Sequence, residues 1–430
     1  MAERTIKVDM LARVEGEGAF KVVVRDGRVT GTEFRIFEPP RFFEAFLRGR
    51  DLSEVPDITA RICGICPVAY QMSSVQAMEM ALGVTIPAPI RDLRRLLYCG
   101  EWIESHILHA AMLHAPDFLG YDGAVDMAND GHADKVRLAL ELKKAGNALV
   151  AFLGGREIHP INVRVGGFYK VPRKRDFAPL REQLLRAGEL CEAFIDWTAT
   201  FNFPDKERDY TFVSLRHPED YPMYDGRIVS NRGLDIPVAE YNDHFREEHV
   251  AHSNALQCFM VDGASYLCGP LARYTLAYDH LAPRAKAAAL RAGLGRTCRN
   301  PYRSVIVRGV ETLHAIDLAL ELIDAYTEPD APAVPFTPQA GTGMGASEAP
   351  RGLLFHQYSI ASDGAILTAQ IVPPTSQNQP SIEEDLASFI DDILDRPEQE
   401  IRYLCEQTIR NYDPCISCAT HFLKLQIDRG

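Results

Sequence analysis

Apolar and polar positions alternate along residues 5–37, on both sides of "RDGRV", where Asp26-Gly27 marks a turn. That period of two predicts a small antiparallel sheet at the N-terminus. Beyond it the period becomes helical. "PVAYQMSSVQAMEMALG" runs from a first-turn proline to a closing glycine, which predicts a helix over 67–83. "IRDLRRLLYCGEWIESHILHAAMLHAPDF" predicts a long buried helix that ends before Pro116. Further helices are expected over 133–152, 176–200, 237–257, 265–292, 309–327, 383–394 and 397–411. Gly/Pro-rich segments at 154–173, 201–235 and 328–350 read as irregular. With no internal repeat and no clean linker, the pattern predicts one domain over 1–430: a β portion (1–40), a helical core (41–421) and a tail (422–430). The expected class is mainly α with a small N-terminal antiparallel β portion, that is α+β.

Composition narrows the class without changing it. The chain has 430 residues, 46% of them hydrophobic and 24% charged, enough for a large ordered core. A formal net charge of −13 without a basic run argues against nucleic acid or an anionic membrane as the main partner. No apolar stretch approaches the ~18–20 residues of a membrane span. "MAERTIKVDM" lacks a signal-peptide pattern, so ten cysteines are expected to be reduced thiols in the cytoplasm, some of them ligands.

Cysteine spacing carries the chemistry. "ARICGICPVAYQ" and "NYDPCISCATHF" each hold a Cys-x-x-Cys, Cys63 with Cys66 and Cys415 with Cys418. Thiols at i and i+3 in a turn can chelate one ion. Asp413-Pro414 before the second pair suggests an N-cap-like Asp and a helix start, whose free N–H groups favour thiolate over thiol. Structural zinc usually knits pairs a short way apart, whereas most of this chain lies between the pairs. Zinc, Fe–S iron, a soft catalytic metal such as nickel, and unliganded thiols all remain open on spacing alone.

Taken with "ARVEGEG", "FFEAFLRGRD", "ESHILHAAMLHAPDF", "GGREIHP", "YLCGPLARY", "APRG" and "VPPTSQN", in that order, the two pairs resemble the signatures of the large subunit of nickel–iron hydrogenases. The resemblance spans nearly the whole chain and implies that family's fold. It implies Cys63, Cys66, Cys415 and Cys418 as nickel ligands, with Cys66 and Cys418 bridging to an iron that carries cyanide and carbon monoxide. It implies Arg351 and Thr375 as donors to the cyanide nitrogens and Pro374 as an apolar wall. Asp117 and Asp413 correspond to family carboxylates near the metal, kept ionised by an Arg351 partner. Glu15 corresponds to the family's proton relay beside a terminal nickel cysteine, while Glu17 departs from a frequent His. Glu44, the Ile371 carbonyl and His421 correspond to ligands of Mg2+. Tyr70 stands where many members have His; a phenol can still donate to a thiolate. This departure, "RICGIC" and the short tail suggest the cytoplasmic, NAD(P)-linked or sulfhydrogenase-like branch.

The activity so implied is reversible H2 oxidation to protons and electrons. No further cysteine set has Fe–S cluster spacing, so electrons are expected to leave through an Fe–S small subunit, with flavin and NAD(P) subunits beyond it. A C-terminal maturation protease is implied for residues after His421. An H2-sensing homologue or a metal-stabilised scaffold are the rival readings. His244, His249 and His252 in "HFREEHVAH" are expected to be solvated or capping in a helix. His106, His109 and His114 are expected to pack and hydrogen-bond without ligating, and Cys99, Cys191, Cys258, Cys268, Cys298 and Cys405 to be core residues.

Overall fold

A computed structural model describes residues 3–421. The N-terminal alternation gives three antiparallel strands, β1 (Glu3–Val8), β2 (Gly18–Arg25) and β3 (Arg28–Ile36), in the order 1-2-3 with the turn at Asp26-Gly27. Ile6, Phe20, Val22 and Phe34 face inward and are fully buried. The helical region follows: α1 (Pro67–Leu82), α2 (Ala88–Ile107), α3 (Ala133–Gly154), α4 (Ala178–Thr198), α5 (Ser304–Ala325), α6 (Pro374–Asp391) and α7 (Glu398–Arg410). The helix α1 ends at Gly83 in the left-handed conformation, as its closing glycine predicts. The largest cluster of buried side chains draws members from Ile6 through to Ala419.

Several expectations are corrected. The helix from Ala88 does not stop before Pro116: it passes through a π-helical stretch, Leu108–His114, into a short α-helix, Ala115–Leu119. Pro116 sits in the first turn of that last piece, where a missing N–H costs nothing. Residues 237–257 are not one helix but a 3-10 turn, a single α-turn (Tyr241–His244) and strands Phe245–Glu248 and Gln257–Met260. The helix expected over 265–292 is two, Pro270–Ala277 and Pro283–Arg291, restarted at Pro283. Sheet content also extends beyond the N-terminus. Residues 328–350, read as irregular, contain β4 (Gly341–Ala349), which pairs with β5 (Gly352–Ile360) and β6 (Ile366–Val372) in a second three-stranded antiparallel sheet. The fold is a mixed helix and sheet chain with small antiparallel sheets.

These elements bring distant segments together. Glu15 and Cys415 form an isolated parallel bridge in which the Ile416 N–H donates to the Glu15 carbonyl at 2.9 Å. Arg41 donates to the Ile62 carbonyl at 2.6 Å and also to the Ser417 carbonyl, tying the two cysteine segments to each other.

Candidate metal centre

Cys63 and Cys66 lie in the turn before α1. The Ile65 and Cys66 N–H groups donate to Cys63 Sγ at 3.3 and 3.2 Å. Cys415 precedes a single helical turn, Ile416–Ala419, which places Cys418 beside it. The four sulfurs lie within 4.8 Å of one another and all four residues are buried. Among the described residues this is the single cluster of three or more His, Cys, Asp or Glu side chains with such convergence.

Four thiols at this spacing do not ionise independently. Burial opposes charge on Cys63, yet hydrogen bonds from Cys415, Cys418 and Cys66, with the Arg351 charge, bring its pKa down. Burial pushes Cys415 and Cys418 up. Cys66 also rises: the bond with Cys415 lowers it, but Cys418, Cys63 and burial outweigh that. One guanidinium cannot balance four thiolates. A soft cation between them can, so the donor set fits a thiophilic metal such as nickel.

Arg351 is 2% exposed and donates through Nε to the Asp413 carbonyl at 2.7 Å and through Nη2 to Asp413 Oδ1 at 3.0 Å. Burial opposes its charge, but Asp413 and the thiols outweigh that and hold it protonated. Asp413 is not the N-cap suggested by its position before proline. Cys415 occupies the cap, and Asp413, at φ 52°, turns its carboxylate to Arg351. Burial raises the Asp413 pKa, with Arg351 and Arg308 pulling the other way. Nor does Arg351 serve Asp117. That carboxylate is gripped by Arg410 at 2.7 and 2.8 Å, by Arg13, and by His114 at 3.0 Å. Burial resists ionisation of Asp117, but the His114 bond and Arg410 hold its pKa well below the usual range. Thr375 Oγ1 accepts the Cys415 N–H at 3.0 Å, and Pro374, one residue before it, is buried at the start of α6.

Glu15 meets the centre directly. Cys415 Sγ donates to Glu15 Oε2 at 3.1 Å, and the Ser417 N–H donates to the same oxygen at 3.0 Å. Gly16, at φ +88°, makes this approach possible: a Cβ there would lie 2.8 Å from Ile416 Cβ and 2.9 Å from the Ser417 nitrogen. Glu17 offers only its N–H, to Glu38 Oε2 at 3.3 Å; Ser417 Oγ donates to that same oxygen at 2.9 Å. Tyr70 does not donate to a thiolate. Its buried hydroxyl has no hydrogen-bond partner among the described residues, and its ring lies 5.7 Å from that of His356.

Glu44, Ile371 and His421 converge as a second group. Glu44 Oε1 accepts the Ile371 N–H at 2.8 Å and lies 4.0 Å from His421 Nε2, which is 2.6 Å from the Ile371 carbonyl oxygen. Burial brings His421 down to about 4, leaving the neutral imidazole that can ligate a cation. A carboxylate, a carbonyl and an imidazole are a donor set a divalent cation can use, with waters completing an octahedron.

Other expectations resolve simply. His109 and His114 bond the Arg410 carbonyl and the Asn411 side chain, each at 2.8 Å, and His106 lies 3.1 Å from Glu311. The π-helical stretch gives His109 and His114 that reach. His244, His249 and His252 do not share a helix; His252 Nε2 pairs with Glu383 at 2.7 Å. The six remaining cysteines are buried and form no disulfide. Sequence reasoning missed Arg41, Glu38, Glu101 and Arg410, which sit in no motif and act through contacts 21 to 379 residues apart. The expectations for residues 422–430 lie outside the described residues.

A helix-rich chain whose four cysteine sulfurs converge in one buried cluster has the donor set of a soft-metal protein. The chain belongs to the nickel-dependent hydrogenase family, whose sequence pattern matches residues 41–137 and 262–421. It is 32% identical to sulfhydrogenase 1 subunit alpha of Pyrococcus furiosus, over 98% of each chain. It is 28% identical to the NAD-reducing hydrogenase HoxS subunit beta of Cupriavidus necator, over 98% of this chain and 95% of that one. A crystal structure of an NAD+-reducing nickel–iron hydrogenase in the H2-reduced state superposes with a TM-score of 0.89 at 26% identity, over 97% of this chain and 99% of that one. Family and thiolate cluster together support a nickel–iron centre. No helix among the described residues is long and apolar enough to cross a membrane.

Proposed function

We propose that the chain is the catalytic subunit of a cytoplasmic nickel–iron hydrogenase that interconverts H2 with two protons and two electrons, the electrons passing through an Fe–S small subunit toward NAD(P). The observation that carries this is the convergence of four thiolates from opposite ends of the chain. The names of relatives, an alpha subunit of a sulfhydrogenase and a beta subunit of an NAD-reducing enzyme, support the multi-subunit setting. When bound, the metal pair, its iron carrying cyanide and carbon monoxide, supplies the redox change and an open position at which H2 is split.

The chain's own residues do the rest. Cys63, Cys66, Cys415 and Cys418 would hold the nickel, with Cys66 and Cys418 also serving the iron. Cys415 Sγ hands a proton to Glu15 Oε2 along the 3.1 Å bond, and Glu15, half-buried, releases it outward. Arg351 and Thr375 would offer donors to the diatomic ligands and Pro374 an apolar surface. Asp413 fixes the Arg351 fork, and Asp117 locks the segment before Cys415 through Arg410. Glu44, the Ile371 carbonyl and His421 would hold Mg2+. A maturation protease removing residues after His421 belongs to the same reading.

The first cysteine turn reaches the surface at exposed Gly64, which lines a cavity of about 210 Å³ with Ile65 and exposed Ile158. This face is the proposed electron exit and seat of the Fe–S subunit; obligate interfaces commonly exceed about 2,000 Å². The test is elemental analysis and acceptor reduction on the purified complex and on the isolated chain. Nickel and iron together are expected, with NAD(P)+ reduced by the complex alone and both metals lost in C418S. Zinc as sole metal, full H2 oxidation by C418S, or NAD(P)+ reduction by the lone chain overturns the reading.

A further inference from the structure

The helix α1 starts directly at a metal ligand, and every free donor of its first turn has an identifiable destination. Cys66 is the N-cap residue and its side chain caps nothing. Its N–H goes to Cys63 Sγ, and Pro67 has no N–H. The next two, Val68 and Ala69, donate to the carboxyl oxygens of Glu101 at 2.6 and 3.1 Å. Glu101 reaches across from the middle of α2 and is 0% exposed. Burial and neighbouring Glu104 push its pKa up, and the two backbone bonds pull it down.

A helix ordinarily takes an N-cap oxygen from the residue at that position. Here the cap side chain is a thiolate needed elsewhere, and a positive helix terminus would otherwise bond it. Hydrogen bonds to a thiolate draw charge from sulfur and weaken it as a donor to metal. The two cysteines of the first pair differ in this respect. Cys63 Sγ accepts two N–H bonds, whereas no backbone N–H is recorded on Cys66 Sγ among the described residues.

We propose that Glu101 is a positioning residue for the metal centre. By occupying the Val68 and Ala69 N–H groups it reserves the Cys66 sulfur for metal and sets the unequal donor strength of the two thiolates. The inference rests on the proposed role of Cys66 as a nickel ligand. Removing the carboxyl frees the second and third N–H groups of the helix, the donors an N-cap side chain ordinarily takes. Helix stability and electronic state of the metal then change together, which a merely structural cap would not require.

The test uses the assembled, metal-loaded complex carrying E101A or E101Q. Three quantities are read: nickel and iron content, hydrogen exchange at 68–70, and the midpoint potential of the nickel signal. In E101A, exchange at 68–70 quickens and the midpoint rises, because weaker thiolate donation favours the reduced metal. E101Q keeps one oxygen for Val68 and shifts the midpoint less. Faster exchange in E101A with an unmoved midpoint reduces Glu101 to a helix cap and overturns the inference. Should E101A take up no metal, E101Q decides: a raised midpoint supports the inference and an unchanged one overturns it. Wild-type complex without nickel and iron overturns the hydrogenase reading instead, so the two failures are distinct.

Discussion

Glu15 joins the centre twice, by its carboxylate at Cys415 Sγ and by its carbonyl at the Ile416 N–H. The backbone contact survives any side-chain change, which separates proton handling from architecture at one residue. Glu15→Gln keeps shape and an oxygen acceptor but cannot cycle a proton. H2 turnover should fall by about 10²–10⁴-fold with nickel and iron content normal. Stopped-flow or gas-uptake rates beside metal analysis check this; a wild-type rate at full metal content moves the relay to another group. Asp117 shows the opposite case. Its two oxygens are taken up by two arginines and one histidine, so Asp117 braces the chain between those segments.

At the level of elements, the tightest contact is between α1 and β4. Gly343 faces the helix so closely that a Cβ would lie 2.0 Å from the Ala77 carbonyl oxygen and 2.5 Å from the Ala81 nitrogen, both backbone atoms. Overfilling a packed site costs about 1–3 kcal/mol where side chains can give, and here none can. Gly343→Ala should lower the thermal unfolding midpoint, measured by calorimetry, and an unchanged midpoint would show that β4 can lift off α1. The same contact explains what the sequence hid. "GTGMG" reads as loop because glycine is poor in strands, yet these glycines are the strand's packing face. The helices α1, α3 and α7 were legible from period and punctuation, because their own side chains settle them. The segment 237–257 was not: its apolar residues serve two short strands whose partners are each other. At the centre, the cysteines and Glu15 were legible as motifs. The pairing of Arg351 with Asp413 was legible through the resemblance, but that of Asp117 was not, since its partner Arg410 lies 293 positions away in no motif.

Across the molecule, Glu383 of α6 fastens the N-terminal sheet to the C-terminal half. Its Oε1 accepts the Phe34 N–H at 2.8 Å, His252 Nε2 at 2.7 Å and Gln257 Nε2 at 3.2 Å. The Glu383 bond raises the His252 pKa above its ordinary value, against partial burial. A histidine whose folded pKa is raised stabilises fully below its unfolded pKa, about 6.5, and loses that contribution as pH rises through the folded value. Wild type should therefore lose part of its thermal stability relative to His252→Gln as pH climbs from about 6 toward 8. Parallel melting curves across that range for the two proteins would remove His252 from the account.

Because Cys63 and Cys415 stand 352 positions apart yet meet at 3.5 Å, the order of synthesis constrains when the centre can exist. At about 5–20 residues per second, roughly 20–70 s separate the emergence of the two pairs from the ribosome. Throughout that interval Cys63 and Cys66 have no partner sulfurs, and the first turn is an open dithiol. Any metal caught then would be held by half a site. The segment that carries the second pair completes the cage, so loading of the full site must await its synthesis.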